Sequence, residues 1–152
     1  MLRGKRILIT GGAGFIGTHL TRTLAAENEV VVFDNLRRNA MQPARVDSLA
    51  NVTLIRGDVL NETQLGSAMK GCSHVVHLAS IAGVDTVMKN PVPTMQVILN
   101  GTGNVLEAAR KQRDIERVVN FSTSEVFGSH AYNVTEGDVT SLGAVRSESL
   151  IS

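Results

Sequence analysis

The sequence predicts an α/β protein built on a doubly wound parallel sheet with strand order 3-2-1-4-5. Three observations carry that expectation. Short Val/Ile-rich runs alternate with longer amphipathic stretches along most of the 152 residues. The runs are apolar on consecutive positions, as strands covered on both faces are. The first run also breaks into a glycine turn, Gly11-Gly12-Ala13-Gly14-Phe15-Ile16-Gly17, that opens a helical pattern. Alternation of this kind implies βαβ units with right-handed crossovers. It puts a ligand crevice at the carboxyl ends of strands one and four.

The first strand is expected over 6–10 and the first helix over 14–27, with Phe15, Ile16, Leu20 and Leu24 at helical spacing. Each glycine between them has a physical task. Gly11 lets the chain turn sharply out of the strand. Gly14 has no Cβ and leaves the backbone open to a pyrophosphate. Gly17 lets the helix pack closely on the sheet. The helix N-terminus then presents free N–H groups and the positive end of its dipole. These features together point to a dinucleotide.

The second strand, 30–34, ends in Asp34, followed by Asn35. A carboxylate at that strand tip can accept hydrogen bonds from an adenosine ribose. It would repel a 2′-phosphate, so NAD is expected rather than NADP. Arg37 and Arg38 lie just beyond and could pair with such a phosphate, which pulls the other way. The alternative is a purely structural turn, with Asp34 an ordinary solvated strand end.

Further strands are expected over 52–56, 74–77 and 118–122. A helix over 62–70 can be capped by Asn61, and a weaker short helix is expected over 44–50. The helix over 91–112 can build an apolar face from Val97, Leu99, Val105, Leu106 and Ala109. Gly101 and Gly103 interrupt it, each at up to about 1 kcal/mol relative to alanine, which suggests close packing or a ligand near the backbone. The stretch 130–152 is polar and aperiodic and reads as a loop or frayed tail after a cofactor-binding domain over 1–129. A sheet that stops at strand five leaves an open edge. Such an edge can pair with another chain, and a homo-oligomer is one outcome.

Composition narrows the function classes. A chain 43% hydrophobic and 19% charged suits one globular domain. A net charge of +1 gives no electrostatic case for nucleic acid or an anionic membrane, and 3% aromatic residues make no base-stacking surface. Cys72 is the only cysteine, so no internal disulfide can form. It reads as a small buried apolar residue. With no secretory h-region and no bilayer-length apolar stretch, a cytoplasmic location is expected. His19, His74 and His130 show no metal-ligand spacing with Cys72 or one another, so no metal site is expected. His77 reads as a histidine packed after a buried strand.

Further motifs follow in order: Gly57-Asp58-Val59, His77-Leu78-Ala79-Ser80, Asn100-Gly101-Thr102-Gly103-Asn104 and Phe121-Ser122-Thr123-Ser124-Glu125-Val126-Phe127-Gly128. With the glycine turn, they make the chain resemble the extended short-chain dehydrogenase/reductases. More narrowly, it resembles their NAD-dependent nucleotide-sugar epimerase and dehydratase group. The resemblance implies a Rossmann-like fold, NAD as cofactor and a nucleotide-diphosphate sugar as partner. It puts Asp58 and Val59 at the adenine ring, and Leu78, Ala79 and Ser80 close to the pyrophosphate and nicotinamide ribose. Phe15, Ile16 and Asn35 join the glycines and Asp34 around the cofactor. Ser122 is implied on the nicotinamide side. Thr123 matches the family's catalytic hydroxyl, and Glu125 matches an acidic residue that could move a proton next to a ketone. Each has a plainer alternative: Asp58 ending a strand, Thr123 and Ser124 satisfying a strand-end backbone, Glu125 solvated.

The chain departs from that pattern in two places. Ile98 stands where many members carry Asn. The family's Tyr-x-x-x-Lys dyad is also missing, its tyrosine being expected near Glu148. The single tyrosine, Tyr132, is followed four residues on by Glu136, and Lys5, Lys70, Lys89 and Lys111 all precede it. The lysine of such a dyad lowers the tyrosine pKa from about 10 so that it can act as a base. The chain thus reads as the cofactor-binding portion of such an enzyme, truncated after strand five and lacking the substrate domain. Two functions follow: part of an oxidoreductase using transient hydride transfer at the sugar C4, or a catalytically inactive NAD(H)-binding module.

Overall fold

The structure, a computed structural model, describes residues 2–127, 132–135 and 137. The elements run β1 (Arg6–Thr10), α1 (Phe15–Ala25), β2 (Glu29–Asp34), α2 (Met41–Ala44), β3 (Val52–Arg56), α3 (Glu62–Ala68), β4 (His74–His77), α4 (Val84–Lys89), α5 (Pro91–Met95), a π-helical segment (Gln96–Asn100), α6 (Gly101–Lys111) and β5 (Arg117–Asn120). The sheet order is β3-β2-β1-β4-β5 and every pairing is parallel, the expected topology. A first compact unit ends at Asn120 and a second begins at Phe121.

Strand periodicity sorts the core into two layers. Leu8, Val31, Phe33 and Val75 face one side of the sheet, with Leu65 and Ala68 of α3 and Val105, Ala108 and Ala109 of α6. Ile7, Ile9, Val30, Val32 and Val76 face the other, with Leu20, Leu24 and Ala25 of α1 and Met41 of α2. Fully burying each of these large aliphatic or aromatic side chains contributes roughly 1.5–3 kcal/mol. Both faces of the central strands are covered, which is why they read as continuous apolar runs.

Local chemistry accounts for the starts of two helices. Asn61 caps α3, its Oδ1 accepting the Gln64 N–H at 3.0 Å. Pro91 begins α5, a position where its missing N–H costs nothing. From there helical structure continues without a break through the π segment to Lys111.

Several expectations need correction. The short helix lies at Met41–Ala44 rather than over 44–50, because Arg45 turns left-handed (φ 52°) and stops it, while Met41 and Val46 are buried. β5 spans Arg117–Asn120 rather than 118–122. It pairs residue for residue with the four-residue β4, so the ladder ends at His77↔Asn120. On the long helix, Leu99 and Leu106 are 60% and 51% exposed, and Ala108 takes a buried place instead. The π segment changes the register between Val97 and α6, and within α6 the buried side runs through Val105, Ala108 and Ala109, leaving Leu106 outside it. Gly101 is closely packed, a Cβ there falling 2.8 Å from Val59 Cγ2, whereas one on Gly103 would meet nothing. α4 escaped the sequence reading because none of its residues is buried.

Among the described residues no strand pairs the outer side of β5, and no helix is long and apolar enough to cross a membrane. In the second unit Ser124–Phe127 forms a 3₁₀ turn, with the Val126 N–H donating to Thr123 O at 3.3 Å. Tyr132–Thr135 and Gly137 are also described there, while the rest of the tail expected over 130–152 lies outside the described residues.

Candidate functional site

A cleft of about 420 Å³ opens at the carboxyl ends of β1, β2 and β4, entirely within the first unit. Its floor is the glycine turn. Gly11 has φ 70°, a conformation that favours glycine, and its N–H donates to Phe33 O at 2.9 Å. A Cβ on Gly11 would sit 2.7 Å from the Ala79 backbone nitrogen, so the turn and the chain leaving β4 touch. A Cβ on Gly17 would fall 2.5 Å from Gly11 O. The protein's own packing demands both glycines. Gly14 is different. Its φ is an ordinary −72°, and a Cβ would meet only Gly11 O at 3.3 Å. The protein itself gives less reason for glycine here than at the other two cleft-lining glycines of the turn.

Helix α1 starts at this point with no side-chain cap and no acidic residue in its first turn. Its leading N–H groups and positive dipole end are therefore left for solvent or a ligand. Phe15 and Ile16 stand 89% and 58% exposed at the cleft mouth.

Asp34 ends β2 at the cleft wall as a carboxylate held in place. Its Oδ2 accepts the Ala13 N–H at 3.1 Å and its Oδ1 accepts the Leu36 N–H at 2.7 Å. Each oxygen keeps a lone pair for a further donor. Asn35 follows, its Oδ1 accepting the Arg37 N–H. Asp58 accepts the Leu60 N–H at 2.9 Å and also lines the cleft. Val59 is nearly buried and pinned from α6, its carbonyl accepting Asn104 Nδ2 at 2.9 Å.

The opposite wall is Leu78, Ala79 and Ser80. Leu78 N–H donates to Thr10 O at 3.0 Å and Ala79 N–H to Thr10 Oγ1 at 3.4 Å. Behind them His77 is 4% exposed, with Nδ1 2.6 Å from Thr10 Oγ1 and Nε2 3.2 Å from Thr102 Oγ1. Burial pushes its pKa below the ordinary histidine value.

The cleft thus brings together Gly11, Gly14, Phe15, Ile16, Gly17, Asp34, Asn35, Asp58, Val59, Leu78, Ala79 and Ser80. Ser122, Thr123 and Glu125 belong to the second unit, where the Glu125 side chain lies outside the described residues. The sequence reading missed Ile81, Ala82, Thr86 and Val97 as lining residues. Thr86 and Val97 lie on helices whose cleft-facing side no motif marks. Arg37 and Arg38 line the cleft as well, and Arg38 Nη2 donates to Ala82 O at 3.0 Å. Among the described residues no cluster of three His, Cys, Asp or Glu could hold a metal.

Comparison with known proteins matches residues 7–148 to the NAD dependent epimerase/dehydratase family. The chain belongs to this family. It is 34% identical over 141 residues to a UDP-N-acetyl-alpha-D-glucosaminuronate decarboxylase of Bacillus cytotoxicus, covering 92% of this chain and 43% of that protein. An epimerase structure from Methanothermobacter thermautotrophicus superimposes with a TM-score of 0.84 at 30% identity, over 93% of this chain and 42% of the other. The UDP-glucuronic acid 4-epimerase of Bacillus cereus, solved with UDP-glucuronic acid and NAD, gives 0.77 at 30% identity, over 89% and 45%. This epimerase/dehydratase family member therefore spans well under half the length of the relatives it matches, and it shares their Rossmann-like α/β fold.

Proposed function

We propose that this epimerase/dehydratase family member binds NAD in the cleft and serves as the NAD-binding part of a nucleotide-sugar-modifying oxidoreductase. Gly14 carries the proposal. Its backbone is unstrained and the one contact a Cβ would make, 3.3 Å to Gly11 O, is far milder than those at Gly11 and Gly17, and it lies where an uncapped helix N-terminus faces open space. A pyrophosphate approaching those N–H groups supplies the missing reason. The bound state of the Bacillus cereus relative supports the same reading.

In this arrangement the diphosphate lies on the N–H groups of Phe15, Ile16 and Gly17. The free lone pairs of Asp34 accept the adenosine ribose hydroxyls, with Asn35 beside it. Asp58 and Val59 border the adenine, while Leu78, Ala79 and Ser80 leave room for the nicotinamide ribose. Bound NAD supplies a hydride acceptor for the C4 of a nucleotide-diphosphate sugar. The family resemblance gives Ser122 to the nicotinamide side, the Thr123 hydroxyl to the sugar oxygen, and Glu125 to proton exchange next to the ketone. Residues 1–129 make up the cofactor-binding portion.

A second reading is a module that binds NAD(H) without turnover. It is favoured by Tyr132 having Glu136 rather than lysine four residues on, with every lysine earlier in these 152 residues. Calorimetric titration with NAD and with NADP tests the shared premise, and absence of affinity for either removes both readings. An assay with UDP- and dTDP-sugars separates them: turnover establishes the enzyme, and NAD binding without turnover establishes the module.

A further inference from the structure

The first turn of α6 reaches both walls of the cleft without lining it. Asn104 Nδ2 donates to Val59 O, and Gly101 packs on the Val59 side chain. Thr102 reaches the other wall through two buried groups, His77 and Thr10. The directions in that relay follow from giving the buried Thr10 hydroxyl hydrogen an acceptor. A backbone N–H can only donate, so Ala79 donates to Thr10 Oγ1. The oxygen could also accept from the ring, but its own hydrogen would then need another partner, so we assign that hydrogen to His77 Nδ1 at 2.6 Å. The ring proton therefore sits on Nε2 and is donated to Thr102 Oγ1 at 3.2 Å. The chain runs one way from the Ala79 wall of the cleft to the helix and needs a neutral histidine.

We propose that His77 is a positioning residue for the cofactor cleft, holding the backbone of Ala79 through Thr10 and tying it to α6 through Thr102. Protonation would place a donor on both ring nitrogens. Thr10 Oγ1 would then face two donors while its own hydrogen lost its acceptor, and the grip on Ala79 would loosen. Since Ala79 passes within van der Waals contact of Gly11, loosening it moves the floor on which the diphosphate rests. The groups that the ladder and the hydrogen bonds set against His77 do not titrate: Thr10 on β1, Asn120 on β5 and Thr102 on α6. Burial alone displaces the ring from its ordinary value, with no charged neighbour contributing.

The affinity part of this test rests on the NAD-binding reading; the ring-proton part does not. Thr102→Val removes one hydroxyl at a position outside the cleft. Its NAD dissociation constant at pH 7.5 is expected to rise roughly three- to tenfold, the effect of one hydrogen bond, with cooperative unfolding retained and Thr102→Ser restoring wild-type affinity. His77→Phe should weaken NAD binding at least as much, and wild-type affinity should fall as the pH drops through the lowered value of the folded His77, below its ordinary 6.5. Nitrogen NMR of the unliganded protein should show His77 as a neutral ring protonated on Nε2 at pH 7. Wild-type affinity in Thr102→Val, or a His77 proton on Nδ1, overturns the proposal. If the wild-type chain binds no NAD, the cofactor reading fails, and the NMR result alone decides whether the relay exists.

Discussion

Gly14 and Gly17 separate what a residue does for the fold from what it does for a ligand. Gly17→Ala pushes a methyl group to 2.5 Å from one backbone atom and 2.6 Å from another. It should destabilise the protein by roughly 1–3 kcal/mol or more, read from urea unfolding. Gly14→Ala meets only one atom, at 3.3 Å. Its unfolding free energy should stay within about 1 kcal/mol of wild type, while NAD affinity measured by calorimetry falls at least tenfold. Equal stability losses for the two variants would argue that both glycines are structural. Asp34 has a double role. Asp34→Ala leaves the buried Ala13 without the acceptor for its N–H and should cost about 1–3 kcal/mol of stability. It should also weaken NAD more than NADP, because the carboxylate that repels a 2′-phosphate is gone and Arg37 and Arg38 stay at the cleft. The opposite ranking would refute the assignment of the ribose to Asp34.

At the scale of elements, the strand at each side of the cleft ends in a side chain that anchors its neighbour. Thr10 closes β1 and His77 closes β4, paired across the ladder. Burial holds His77 below the value near 6.5 that it has when exposed. Between that value and the lower folded one, the unfolded chain binds a proton that the folded chain does not. The stability due to His77 is therefore intact above about pH 6.5, falls as the pH drops through the window, and levels off below the folded value. Urea unfolding at pH 7.5, 6.5 and 5.5 should show this decline in the wild type and a shallower one in His77→Phe. The boundaries of β1, β3 and β4 and the Asn61 cap were legible because they depend on neighbours a few residues away. The long helix was legible in extent but not in facing: it contains a π segment at Gln96–Asn100, and Leu99 and Leu106 lie at the surface.

For the whole molecule, binding should register as stability. A ligand that binds the folded chain alone raises its unfolding free energy by about 2.7 kcal/mol at a hundred times the dissociation constant. NAD should thus raise the melting temperature in proportion to the logarithm of its concentration. The doubly wound topology was readable from alternation and the glycine turn, and twelve expected cofactor contacts converge on one cleft. Thr86, Val97 and the relay through Thr102 were not readable, since each acts through partners far away in the chain.

The amino-acid sequence by itself determined the order of strands and helices, the glycine turn and the acidic tip of β2, because apolar periodicity, caps and backbone freedom act over a few residues. Only the tertiary structure decided which glycines the protein needs and which it leaves open to a ligand. It alone also decided that the Asp34 carboxylate braces the turn and that α6 is tied to the Ala79 wall of the cleft through a buried histidine. Those outcomes depend on the approach of residues that are far apart in the chain, and local pattern holds no record of such distances.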